Sequence, residues 1–116
     1  MSQNTPKPPP GLRTSGRALW RAVLRDYELD EHEAAQLAEA CFVRDRIAQL
    51  RVQVDTDGLM IASSQGSRLH PGVSEIRAQQ LALARILATL SVPPWAEDSL
   101  PASRGVRGGY RLRGVS

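Results

Sequence analysis

The sequence predicts a mainly α fold: a three-helix core with one long central helix and a short β-hairpin. Three observations carry this expectation. Apolar residues recur at three- and four-residue spacing in three separate stretches, the pattern of helices with one buried face. Asp57-Gly58 and His70-Pro71-Gly72 bracket a short segment too brief for a helix. Proline clusters at Pro8-Pro9-Pro10 and Pro93-Pro94 bound the periodic region on both sides. The chain of 116 residues then divides into a flexible Pro-rich arm (1–11), a helical core (12–92) and a flexible basic tail (93–116).

The first helix is expected over 14–27, with Thr14 or Ser15 as its N-cap. Leu19, Trp20, Val23, Leu24 and Tyr27 define its apolar face. Arg13, Arg17, Arg21 and Arg25 recur every four residues, and successive members drift by only ~40° around a helix, so the last three share a stripe. The second helix opens at Asp30-Glu31-His32-Glu33. Asp30 caps it and Glu33, three residues on, closes a capping box, with both acids at the positive end of the helix dipole. Its apolar positions are Leu37, Cys41, Val43, Ile47, Leu50 and Val54, and it is expected to run to about residue 54.

Residues 59–62 and 67–70 then flank Ser63-Ser64-Gln65-Gly66, the shape of a hairpin with a four-residue loop. A lone two-stranded hairpin is marginal in water, so this one is expected to pack on a helix or to join its counterparts in neighbouring subunits. Proline biases His70 to extended backbone, which makes His70-Pro71 structural punctuation. The third helix follows over 73–90 with Val73, Ile76, Leu83, Leu87 and Leu90 on one side.

Composition excludes several classes. One cysteine, Cys41, leaves no internal disulfide framework and no Cys-rich zinc site, and its place on the buried face of the second helix makes it a small core residue. His32 and His70 lack the neighbours of a metal-ligand motif. There is no Gly-x-x-x-x-Gly-Lys-Ser/Thr loop, which rules out a P-loop ATPase. The acids at 26–33 are accounted for by capping, so no catalytic residue, metal or cofactor is expected. No apolar run approaches the ~18 residues of a membrane span, and the N-terminus has no signal-peptide core, so an intracellular protein without membrane contact is expected.

The net charge of +3 conceals a strong asymmetry. Residues 1–25 hold five cations and no acid, residues 26–45 hold seven acids against Arg44, and residues 101–116 hold Arg104, Arg107, Arg111 and Arg113 with no acid. Two basic ends flanking an acidic segment point to a polyanion partner, to subunit-to-subunit charge pairing, or to both. The arginine ladder of the first helix has these readings: phosphate contact, a solvated face, or pairing with the acidic start of the second helix in the same or a neighbouring subunit. Residues 104–113 interleave arginine with glycine and Tyr110, a composition that suits a nucleic-acid backbone or a protein partner on which the tail folds. The nucleic-acid candidates are therefore Arg13, Arg17, Arg21, Arg25, Arg104, Arg107, Arg111 and Arg113.

Taken in order, Leu19-Trp20, the acidic start Asp30–Glu33, Ala40-Cys41-Phe42, the Asp57-Gly58 break, the hairpin leading to His70-Pro71, and the Gln79-Gln80-Leu81 and Arg85-Ile86-Leu87 stretches closing in Leu90-Ser91-Val92-Pro93-Pro94 resemble the small subunit of tailed-bacteriophage terminases. The resemblance covers about residues 12–94, roughly 70% of the chain. It implies a non-enzymatic DNA-packaging adaptor in the host bacterial cytoplasm. Such a protein forms a homo-oligomeric ring of roughly nine copies, a closed cyclic arrangement in which head-to-tail contacts terminate. It recognises viral double-stranded DNA and passes it to a large ATPase/nuclease subunit, for which residues 94–116 are the candidate contact. Two alternatives stand beside it: a small helix-turn-helix-like DNA-binding regulator, and a structural oligomeric adaptor. A long second helix opening with Asp30, Glu31 and Glu33 would aim acids at DNA, which argues against the regulator.

Overall fold

The computed structural model describes residues 5–92 and 111–112. It is mainly helical, in the order α1 (Thr14–Asp26), β1 (Tyr27–Glu28), α2 (Glu31–Asp57), β2 (Met60–Ser63), β3 (Gly66–Leu69), α3 (Pro71–Thr89) and β4 (Arg111–Leu112). α1 and α3 both pack on α2, which serves as the scaffold. One apolar cluster joins all three helices: Trp20, Val23 and Leu24 from α1, Leu37, Ala40, Cys41 and Ile47 from α2, and Leu83 and Leu87 from α3, closed by Leu12 before α1 and by Leu90 and Val92 after α3. Because α2 serves two partners, its apolar residues spread around the helix; Val43 and Leu50 are half-buried on its flank, and Phe42 is exposed.

The ends of α2 follow local chemistry. Asp30 and Glu33 form the reciprocal capping box, with the Asp30 N–H donating to Glu33 Oε1 at 2.7 Å. The helix runs through Asp57, three residues beyond the expected end. Its stop is Gly58 at φ +91°, a backbone conformation open to glycine, with the Gly58 N–H donating to the Val54 carbonyl at 2.7 Å.

The start of α1 differs from the local expectation. Its N-cap is Arg13, whose side chain makes no cap bond, and neither Thr14 nor Ser15 caps the helix. The acceptor comes from the middle of α2: Asp45 Oδ2 accepts from the Arg13 N–H and Oδ1 from the Gly16 N–H, both at 2.6 Å. A carboxylate from a packed neighbour thereby does the work of an N-cap side chain.

The described part of the Pro-rich segment, residues 5–11, touches the helical core. Trp20 Nε1 donates to the Pro6 carbonyl at 2.9 Å, and Pro8 and Pro9 are half-buried. An indole N–H on a mostly buried ring needs an acceptor, and this stretch supplies it.

The hairpin loop is shorter than expected. Ser63 pairs with Gly66, leaving only Ser64 and Gln65 between the strands. Gly66 takes φ +105°, and the Ser63 hydroxyl donates to the Gly66 carbonyl at 2.6 Å, tightening the turn. Every residue of β2 and β3 is exposed except half-buried Ile61, so the strands do not lie under a helix of their own chain.

Among the described residues, the tail contributes the strand β4. β4 lies antiparallel to β1, with Tyr27 opposite Leu112 and Glu28 opposite Arg111. The remaining tail residues, 93–110 and 113–116, lie outside the described ones.

Candidate nucleic-acid interface

α1 divides cleanly between its two faces. Gly16, Trp20, Val23 and Leu24 are buried, whereas Arg13, Arg17, Arg21 and Arg25 are all exposed. The burial of the apolar stripe against α2 fixes the rotation of the helix, and that rotation turns the arginine ladder outward. Ala18 and Ala22, also exposed, lie beside this row on the same outward side of the helix.

The ladder is little compensated within its own chain. Arg25 Nε lies 3.5 Å from Asp26 Oδ1, a contact between side chains that are 74% and 55% exposed, so it holds neither firmly. An Arg17 Nη1–H donates to the Leu12 carbonyl, which occupies one of five guanidinium donors and orients the rest. Among the described residues, Arg13, Arg17 and Arg21 form no ion pair. At the acidic start of α2, Asp30 and Glu33 are engaged in the capping box, and among the described residues Asp30, Glu31 and Glu33 form no ion pair with the ladder.

Of the eight arginines singled out by the sequence, the structure places Arg17, Arg21 and Arg25 on α1, Arg13 at its N-cap and the backbone of Arg111 in β4; Arg104, Arg107 and Arg113 lie outside the described residues. Among the described residues, no helix is long and apolar enough to cross a membrane.

Two other clusters of polar groups have structural roles. Asp30, His32 and Glu33 bring three potential donor atoms within 4.8 Å, but Asp30 and Glu33 are committed to the capping box and Glu33 is buried. The second cluster is a node the sequence does not predict beyond punctuation. His70 Nδ1 accepts from the Gly72 N–H at 2.8 Å and so caps α3, while its Nε2 lies 2.9 Å from Asp57 Oδ2, which also accepts from Gln53 Nε2 at 2.9 Å. With Nδ1 accepting, the ring proton sits on Nε2 and is donated to Asp57. Gln53 and then His70 hold the Asp57 carboxyl below its usual range. The His70 N–H donates to the Leu59 carbonyl at 2.6 Å, so this one residue joins the end of α2, the base of the hairpin and the start of α3.

Cys41 is fully buried, and burial, with the Asp45 carboxylate adding to it, pushes its thiol up to about 12. A thiol so placed is a packing group and not a nucleophile.

Comparison of the chain with family models, with curated proteins and with solved structures finds no match.

Proposed function

We propose that this chain is a non-catalytic DNA-binding subunit of the viral-terminase type, which assembles into a ring, recognises phage DNA and delivers it to a large ATPase/nuclease subunit for packaging. The observation that carries the reading is the outward row Arg17, Arg21 and Arg25 on one helix, with exposed Arg13 at its N-cap, little paired within its own chain. Arginine suits this role because its planar fork binds phosphate oxygens in pairs. One row of four makes a weak site. Several copies arranged around an axis multiply it through effective concentration, which is how a small subunit obtains useful affinity for a duplex.

Self-assembly is supported by the surface that one copy leaves uncovered. Leu59, Met60 and Leu69 are 61%, 55% and 51% exposed at the hairpin, and Met60 and Leu69 are cross-strand partners. Such a pair in water is a poor end state for a two-stranded hairpin, and contact with other copies would cover it. The same surface fits the structural-adaptor reading, in which the ring forms without a DNA role.

Native mass spectrometry at moderate salt tests the assembly: roughly nine copies of 12.7 kDa give about 114 kDa, and another closed multiple of similar size serves equally. A clean monomer or dimer at micromolar concentration removes the ring. The double charge reversal R17E/R21E tests the site: loss of duplex binding with the oligomer intact supports DNA contact. Loss of the oligomer instead assigns those arginines to the subunit interface.

A further inference from the structure

Two apolar surfaces of this chain stay uncovered among the described residues, and they lie at different places. The first is one face of the hairpin. Alternate residues of a strand share a face, so Met60 and Ala62 of β2 stand with Ser67 and Leu69 of β3. All of these are exposed, as is Leu59 beside them, whereas half-buried Ile61 belongs to the opposite face. The hairpin therefore turns apolar side chains to water. The second surface is an open groove of about 380 Å³ between α2 and α3, lined by Phe42, Val43, Arg46 and Leu50 from one helix and by Glu75 and Gln79 from the other.

Charge matches the two surfaces to each other. Arg46 on the α2 wall and Glu75 on the α3 wall line one groove, yet among the described residues neither forms an ion pair; Glu75 accepts from Gln79 Nε2 at 2.8 Å. The hairpin is likewise flanked by one charge of each sign, Asp55 on the last turn of α2 and Arg68 on β3. Both are exposed and, among the described residues, outside any ion pair. A chain's own hairpin does not fill its own groove: Leu50 lies about 12 Å and Phe42 about 24 Å along α2 from Gly58, and Met60 and Leu69 stay exposed.

We propose that the groove between α2 and α3 is the socket for the hairpin of a second copy of this chain. Met60 and Leu69 of the incoming copy cover Phe42, Val43 and Leu50, while its Asp55 and Arg68 meet Arg46 and Glu75. Knob and socket are different surfaces, so each contact is head-to-tail and every copy offers one of each. Such contacts end where the rotation closes them into a ring. This pairing rests on the assembly half of the function proposed above and does not require DNA contact.

The test uses the full chain as two single variants, Met60→Cys and Gln79→Cys. Gln79 stands about 12 Å along α3 from the end that carries the hairpin, beyond the ~7 Å Cα limit of a disulfide, so a bond between these positions joins two copies. Buried Cys41 stays protonated and does not compete. Mild oxidation of an equal mixture is expected to give a covalent dimer, and neither variant alone is expected to give one. The chain carrying both substitutions is expected to give a ladder of multimers. A mixture without a crosslink overturns the socket, and so does a dimer from Met60→Cys alone, which would set hairpin against hairpin.

Charge exchange is an independent readout. Arg46→Glu and Asp55→Arg, both at exposed positions, are each expected to raise the concentration of half-assembly roughly tenfold, and the double variant to return it to within about threefold of the parent. Single variants that assemble like the parent, or a double variant no better than the singles, overturn the pairing. A parent that assembles without crosslink or rescue loses this socket while the ring stands. A parent that is monomeric by native mass spectrometry at micromolar concentration removes the ring and the socket with it.

Discussion

The contact between Asp45 and the start of α1 sets the orientation of the candidate interface, and its removal has a calculable cost. Asp45 is 6% exposed and accepts two backbone N–H bonds at 2.6 Å from the first turn of α1. Asp45→Ala leaves the Gly16 N–H buried without an acceptor and the Arg13 N–H to partial hydration. Hydrogen bonds to a charged group are worth about 1.5–3 kcal/mol each, and loss of an N-cap costs about 0.5–2 kcal/mol. Allowing for water at Arg13, the expected loss is about 2–4 kcal/mol, or roughly 10 °C or more in Tm. Asp45→Asn retains one acceptor but loses the charge at the helix dipole and sets an amide N–H2 against an N–H, for an intermediate loss of about 1–2 kcal/mol. Gly16→Ala attacks the same contact from the other side, since its Cβ would lie 2.5 Å from Asp45 Oδ2 and 2.7 Å from the Cys41 carbonyl. It is expected to cost as much as Asp45→Ala, because backbone must move to admit the methyl group. Urea unfolding followed by far-UV circular dichroism, at one fixed protein concentration, measures all three. An Asp45→Ala chain within about 0.5 kcal/mol of the parent would refute the argument, because a surface substitution does no more than that.

Further outcomes follow from other contacts. The Cys41 thiol, raised from 9.0 to about 12, is expected to resist aromatic disulfide reagents at neutral pH and to react fully in urea; prompt labelling of the native chain would contradict its burial. The sign of its linkage is fixed by that rise: its contribution is complete below the unfolded value near 9 and is lost as pH climbs toward 12, visible as a falling urea midpoint. Asp57 has the opposite sign: its lowered carboxyl pKa adds stability above the ordinary value of 3.8 that is lost as pH falls through the folded pKa. His70→Ala is expected to weaken that acid dependence without abolishing it, since the larger contribution from Gln53 remains, and to cost about 1 kcal/mol through the lost cap of α3, both read from urea melts on either side of the transition. Trp20→Phe removes the bond to Pro6, and protease cleavage within residues 5–11 is expected to quicken; an unchanged cleavage rate would mean the bond does not hold the segment.

Much of the fold is legible locally. The capping box of Asp30 and Glu33 depends on residues three apart and forms as the sequence predicts. Gly58 stops α2 through backbone geometry that neighbours do not alter, and α3 starts at Pro71, two residues before the expected Val73, because the fixed φ of proline suits the first helical turn. The outward arginine row likewise follows from helical periodicity once Trp20, Val23 and Leu24 take the buried side. The length of α2 and the hairpin loop were less legible, because helix ends and strand register depend on a few weak hydrogen bonds that adjacent residues can extend.

What the sequence by itself determined is the three helices and the hairpin, their polarity and the charge each carries, since these depend on spacing within a few residues. Tertiary structure alone decided which groups far apart in the chain complete one another. Asp45 reads as an acid in the middle of a helix and becomes the cap of another; Trp20 binds a proline carbonyl 14 residues upstream; β4 meets β1 across most of the chain. The physical reason is common to all three. A buried N–H, or an extended backbone between two helices, must find a partner, and sequence spacing specifies the need without specifying which distant group folding brings within reach.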